Sequence, residues 1–352
     1  MQTAIIKQYG PSSSISVVPS DPGPPAAGEV RLSVQAAAIN PYDWHQLTGT
    51  PWLVRNETGW RRPKFAKLGS DVAGIVEAVG NGVDAFSKGD AVFGRAAGAL
   101  AETAIARVDD LVRKPPNLSF EEAASLPIAG QTALQGLRDH GGIEAGMRVL
   151  INGASGGVGT YAVQLARHFG AHVTAVCSGR NTELVRSLGA HRTVDYTRDD
   201  FTHNKGRYDL VFDVVGNRKP RHIKRCLRAR GTWVVVSGPK NPLFGPMGYW
   251  LRAALSFALS RKRARFFITL HHAADMSYLG RLSAVGKLQS VVERVFPLTR
   301  VAEAFAHLES GRTRGKIVVA PDCGVTAVVD LQGTRRRLAN RLEHMLRPER
   351  WF

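Results

Sequence analysis

The run "VLINGASGGVGTYAVQLARHFGAHVTAVCSGRN", Val149 to Asn181, holds residue types spaced to grip a phosphate. An apolar strand runs into Gly153, Gly156, Gly157 and Gly159, and helical spacing follows at once. Such glycines allow a tight turn and a close approach of backbone to ligand. The free N–H groups and the dipole of the helix start favour a pyrophosphate. Ser155 and Val158 lie in the same loop and belong to the same expected contact. A bare strand–helix turn uses similar glycines. Here strand, glycine loop, helix and second strand are all present, which is the context of a dinucleotide site.

The end of the second strand selects the dinucleotide. An NAD site usually has Asp or Glu about 20 residues on, holding the ribose hydroxyls. This chain has "CSGRN", with Ser178 and Arg180. Donors and a positive charge suit a phosphate on the ribose, so NADP(H) is expected over NAD(H). Arg180 as plain surface is the competing reading. Tyr196, after the third strand, is either an adenine or phosphate contact or packing.

These residues need elements to hold them. A chain of 352 residues is long for one core, so two domains are expected. Up to about Phe120, short apolar runs alternate with turn residues and read as β-rich. Ser119 and Glu122 then form a capping-box pattern. Beyond it, strands are expected at Met147–Asn152, Val173–Cys177, Arg192–Asp195, Asp209–Val214 and Thr232–Ser237, with helices between. Apolar strands separated by amphipathic helices imply an α/β, doubly wound parallel sheet. Residues 249–285 read as mainly helical, and strand, helix and strand close the pattern before Ala320.

Composition narrows the classes. No run of about 18 apolar residues offers a membrane span. The N-terminus lacks a signal pattern. Cys177, Cys226 and Cys323 are too dispersed for a disulfide framework or a CxxC zinc site, so a reducing, cytoplasmic setting is expected. The net charge of +18 gathers at Arg218–Arg230, Arg252–Arg265 and Arg335–Arg350. Such clusters mean a solvated face more often than contact with nucleic acid or an anionic membrane.

Three segments resemble one family. "GSDVAGIVEAVGNGVDAFSKGDAVFG" (Gly69–Gly94), "PIAGQTALQGL" with the glycine loop, and "FPLTRVAEAFAHLESGRTRGKIVV" are similar to the zinc-independent quinone oxidoreductase branch of the medium-chain dehydrogenase/reductases. The resemblance implies a Rossmann domain (121–296, with a helical lid at about 241–285) inserted into a GroES-like catalytic barrel (1–120, completed by about 297–320). It also implies a homodimer. Residues 321–352 lie beyond it as an extra basic tail. Its Leu338, Leu342, Met345 and Leu346 share one helical face.

Zinc relatives carry Gly-His-Glu where this chain has Gly69-Ser70-Asp71, and they use cysteine ligands that its N-terminal part lacks. No metal is therefore expected, since catalytic zinc needs three ligands from Cys, His and carboxylate. Asp71 reads as a turn or buried hydrogen-bonding residue. Hydride must then go to an acceptor that is already electron-poor, a quinone or an α,β-unsaturated carbonyl.

The resemblance puts "AINPYDWHQLTG" in the cleft. Asn40 could bond the substrate carbonyl or the cofactor amide. Asp43 could fix the loop or relay a proton. Tyr42 and His45 are possible acids. The competing reading is a turn that caps the next helix. Thr132, Val215, Gly216, Ser237, Gly238 and Lys316 are the further cofactor contacts the family pattern implies. Trp44, Trp52 and Trp60 could wall the substrate or be core. Phe244, Tyr249 and Trp250 could touch substrate from the lid. Two other functions stay open: an alcohol or aldehyde oxidoreductase using NADP(H), and an NADPH-binding protein with little turnover that holds nucleic acid or membrane.

Overall fold

The computed structural model describes residues 1–64, 66–239 and 245–322. Phe244 and the C-terminal tail from Cys323 onward, with its apolar face and third arginine cluster, lie outside the described residues.

Six strands form one parallel sheet in the spatial order Arg192–Asp195, His172–Cys177, Arg148–Asn152, Tyr208–Asp213, Leu227–Val235 and Arg263–Phe266. Counted along the chain this is the doubly wound order 3-2-1-4-5-6. Val149, Leu150, Ile151, Leu210, Val211 and Phe212 are fully buried. The strands are therefore near-continuous apolar runs, as expected when helices cover both faces. The order reverses between Arg148–Asn152 and Tyr208–Asp213, and the crevice at those strand ends is where such sheets bind ligands.

A second, seven-stranded sheet is built from both ends of the chain. Its path runs Val292–Pro297, Lys316–Ala320, Glu29–Ile39, Asp71–Val79, Ala91–Arg95 and Leu111–Arg113, and Thr103–Arg107 also pairs with Glu29–Ile39. Glu29–Ile39 has 11 residues and register shifts at Arg31/Leu32 and Val34/Ala36 against Asp71–Val79. Such irregularities bend a strand, letting one strand serve three neighbours. Antiparallel pairing of Ile317 with Ile39 brings the late segment onto the early one. The barrel sheet takes the chain back from Val292, five residues before the expected 297. One hydrophobic core spans both sheets, joining Ala36, Ala73 and Phe93 to Val149 and Ile151.

The capping box forms as the sequence predicts: Glu122 N–H donates to Ser119 Oγ (3.2 Å), and Ser119 N–H to Glu122 Oε2 (2.9 Å). The stretch 249–285 is a correction. Helices cover Met247–Phe257 and Ala273–Ala284, but Arg263–Phe266 is the sixth strand of the parallel sheet. Ala264 and Phe266 face the core while Arg263 and Arg265 face solvent, a period of two hidden between two apolar helical runs.

Candidate active site

The strand Arg148–Asn152 runs into Gly153, whose φ of +85° is glycine territory. The helix Gly157–His168 begins four residues later. A Cβ on Gly159 would stand 2.1 Å from the Gly153 carbonyl oxygen, so the turn closes only without a side chain there. In the first turn of a helix the N–H groups have no carbonyl four residues back. Those of Val158 and Gly159 therefore have no helical partner and can meet an anion, while Gly157 lies beside the bridge from Gly156 to Gly315. Ser155 braces the loop from outside: its hydroxyl accepts from Asn181 Nδ2 (2.9 Å) and its carbonyl from Gly315 N–H (2.9 Å).

At the second strand's end, Arg180 donates to the Arg312 backbone carbonyl (3.2 Å), tying this turn to the segment that returns to the barrel. Tyr196 is exposed, with its N–H on the Cys177 carbonyl (3.1 Å). The sequence reading found no carboxylate here, and the structure corrects it. Parallel pairing sets Asp195 level with Cys177, and a Cβ on Gly179 would lie 2.6 Å from Asp195 Oδ2. The N–H and hydroxyl of Thr197 (3.0 and 2.8 Å) hold this carboxyl below the usual range, so it stays ionised.

At the strand end facing the switch point, Asp213 Oδ1 accepts from Gly216 N–H (2.9 Å), Val215 N–H (3.2 Å) and Asn152 Nδ2 (2.8 Å). This shapes the loop that carries Val215 and Gly216. Ser237 is exposed and Gly238 half-buried at the next strand's end. Thr132 is buried, bonded to the Ile128 carbonyl and to Thr269 Oγ1 (both 2.7 Å).

The seam between the sheets holds a buried polar cluster. Asp43 Oδ2 accepts the Asn40 N–H (2.7 Å), and Asp43 Oδ1 accepts from Ser70 Oγ (2.9 Å). Asn40 Nδ2 donates to Asp71 Oδ2 (2.9 Å), and its Oδ1 accepts from Lys316 Nζ. Lys316 Nζ also reaches the Ile39 carbonyl (3.3 Å) and stands 3.8 Å from Asp71 Oδ2. Ile128 N–H donates to Asp71 Oδ1 (3.2 Å). All five side chains are buried, Asp43 and Asp71 completely. Burial, then the Asp71 charge, pushes Asp43 up to about 6. Burial also raises Asp71 against the pull of Lys316, and lowers Lys316.

The four loop candidates thus separate. Asn40 and Asp43 are locked in the cluster. His45 Nδ1 bonds the Thr50 carbonyl. Tyr42 is exposed, its ring 6.0 Å from the Arg95 guanidinium. The three tryptophans form no common wall: Trp44 Nε1 donates to Glu309 (3.0 Å) against the barrel core, while Trp52 and Trp60 are exposed. Tyr249 and Trp250 pack on Trp233 and Phe266.

Residues 26–116 match the alcohol dehydrogenase GroES-like domain, and 188–319 match the zinc-binding dehydrogenase family. The "Chloroplast envelope quinone oxidoreductase homolog" of Arabidopsis thaliana is 34% identical over 312 residues, 84% of this chain and 91% of that protein. This chain belongs to the medium-chain dehydrogenase/reductases, in their quinone oxidoreductase-like branch. The "NADPH-dependent alkenal/one oxidoreductase, chloroplastic" of the same plant is 34% identical over 83% of this chain and 72% of its own length. The quinone oxidoreductase from Coxiella burnetii superposes with a TM-score of 0.81 at 30% identity, covering 91% of this chain and 99% of that one.

For this dehydrogenase the family description raises zinc, and the residues present do not fit it. Among the described residues no three His, Cys, Asp or Glu side chains are placed to share a metal. At Ser70-Asp71 the carboxylates already accept hydrogen bonds, and a dication on Asp71 would face the Lys316 ammonium. A dinucleotide does fit: the glycine turn is a cradle that a Cβ would fill, and free helix N–H groups line it. Sequence reasoning missed Ser70, Arg95 and Asp195 as members of the site. The signal for the last two is strand pairing, which sets Arg95 opposite Asp71 and Asp195 opposite Cys177, while Ser70 enters through its bond to Asp43.

Proposed function

We propose that this dehydrogenase/reductase is an NADPH-dependent enzyme that passes hydride to a quinone or an α,β-unsaturated carbonyl, with no metal in the chemistry. The buried cluster of Asn40, Asp43, Ser70, Asp71 and Lys316 carries the reading. An alcohol or simple aldehyde calls for a Lewis acid at that place, and this chain puts an ammonium and a hydroxyl there. An acceptor that is already electron-poor needs positioning and a field that stabilises developing negative charge. The names of the quinone and alkenal/one oxidoreductase relatives support the same class.

NADPH supplies the hydride. Gly153, Gly156, Gly157, Val158 and Gly159 would hold its pyrophosphate, and Ser178, Arg180 and Tyr196 its phosphorylated ribose. Val215, Gly216, Ser237, Gly238 and Thr132 would line the path to the nicotinamide. Lys316 and Asn40 supply fixed charge and shape beside the phosphate loop. Tyr42, the exposed one of the four candidates, would donate the proton to the substrate oxygen. The reading includes a homodimer, to be checked by sedimentation equilibrium.

The test is NADPH oxidation against a panel of quinones, enones, aldehydes and alcohols, with and without a chelator. Turnover confined to quinones and enones and indifferent to chelation is expected. Loss on chelation, or turnover of simple aldehydes or alcohols alone, would overturn the metal-free reading. Salt-sensitive retention on nucleic acid with no turnover would replace the enzyme by a binding protein.

A further inference from the structure

The helix Met247–Phe257 is apolar on both sides. Its inner side carries Tyr249, Trp250 and Phe257. Tyr249 and Phe257 meet Trp233 at 5.8 and 5.7 Å between ring centres, and Trp250 meets Phe266 at 5.6 Å. Its outer side carries Met247, Leu251 and Leu255 at a spacing of four, and Leu259 follows just past the end. These four are 51, 62, 69 and 103% exposed. A contiguous exposed apolar stripe of this kind marks an interaction surface more often than isolated surface leucines do. The outer side of this helix faces solvent among the described residues.

The surroundings say what would cover it. From Val214 to Ala274 the chain has thirteen lysines and arginines and no aspartate or glutamate. Arg252 on the helix and Arg261 just beyond it are exposed. So are Arg221 and Arg225 on the neighbouring helix Pro220–Cys226, which Lys224 ties to the Ser256 carbonyl (2.6 Å). A second copy docking on this face would set cations against cations. A nucleic acid would answer the charge but leave the leucines without a partner, since the aromatic rings of the helix are turned inward. An anionic bilayer answers both features: basic side chains at the headgroups and leucines in the acyl boundary.

We propose that this face docks peripherally on an anionic phospholipid surface. The inference stands apart from the catalytic reading, because none of its residues belongs to the site. It is tested by floating the full chain with vesicles of phosphatidylcholine alone and of phosphatidylcholine mixed with phosphatidylglycerol. Flotation with the mixed vesicles only, weakened by salt, is expected. Leu251→Gln with Leu255→Gln should weaken partitioning by about tenfold or more, and Arg252→Gln with Arg261→Gln by about fivefold per charge. Both pairs should bind NADPH as the parent does, which checks the fold. No flotation, equal flotation on both vesicles, or unchanged flotation of the leucine pair would overturn the proposal. So would self-association that the leucine substitutions abolish, or retention on RNA in place of vesicles.

Discussion

Replacing Lys316 with methionine tests whether the buried cluster works as a charged unit. Methionine keeps most of the side chain's length and apolar stem and removes the ammonium. Lys316 Nζ lies 3.8 Å from Asp71 Oδ2, with both residues buried. At an effective dielectric constant of about 20, that separation is worth about 4 kcal/mol. Its loss removes the buried counter-charge that Asp43 and Asp71 share and leaves Asp71 only Arg95, and breaking a buried pair typically costs about 3–5 kcal/mol. Urea unfolding followed by tryptophan emission at about pH 8 should show a loss of that size.

The loss should shrink in acid, and the sign follows from the carboxyls. Burial already raises Asp43 and Asp71 above their ordinary values, and removing the lysine raises both further. A group raised in the folded state adds stability below its unfolded value and loses it as pH rises through the folded one. At about pH 5 the raised carboxyls take up protons more readily than at about pH 8, so the penalty is smaller. Adding Asp71→Asn should offset much of the loss at the higher pH, with a coupling of about 1–3 kcal/mol. A loss under about 1 kcal/mol that is equal at both pH values, or an Asp71→Asn change that merely adds, would refute the reasoning.

Four further outcomes follow. Gly159→Ala places a Cβ 2.1 Å from the Gly153 oxygen, so NADPH affinity measured by calorimetry should fall by about tenfold or more while the fold persists. Arg180→Asp should move cofactor preference towards NADH. Asp195→Asn should move it towards NADPH by several-fold, because it removes an ionised carboxylate beside Gly179; the ratio of kcat/KM for the two cofactors reads both. Asp43→Asn should flatten the fall in stability that the parent shows as pH rises from about 4 through about 6, seen as a smaller drift of the urea midpoint.

The sequence carried the phosphate loop and the strands behind it, because both are local. Val149–Ile151 and Leu210–Phe212 are apolar without a break, and the glycine turn is contiguous. Ser119 and Glu122 are three residues apart and cap one helix. The strand Arg263–Phe266 was hidden because its alternating "RARF" sits between two apolar runs of helical spacing. The charge of 214–274 was legible. The apolar stripe became visible only once Trp233 and Phe266 had claimed the inner side of its helix.

The site itself is non-local. Lys316 and Asn40 are 276 positions apart and meet because Ile317 pairs with Ile39. Neither residue type announces the other. The same holds at the ribose end. Ser178 and Arg180 argue for a phosphate, yet the third strand brings Asp195 level with Cys177, and the chain's return to the barrel brings Arg312. On the proposed reading, cofactor preference follows a balance of Arg180 against Asp195, carried on separate segments, with the Arg312 carbonyl holding Arg180 in place. A change at any one of them should shift the preference by degrees, whereas a single residue in sole control would switch it outright.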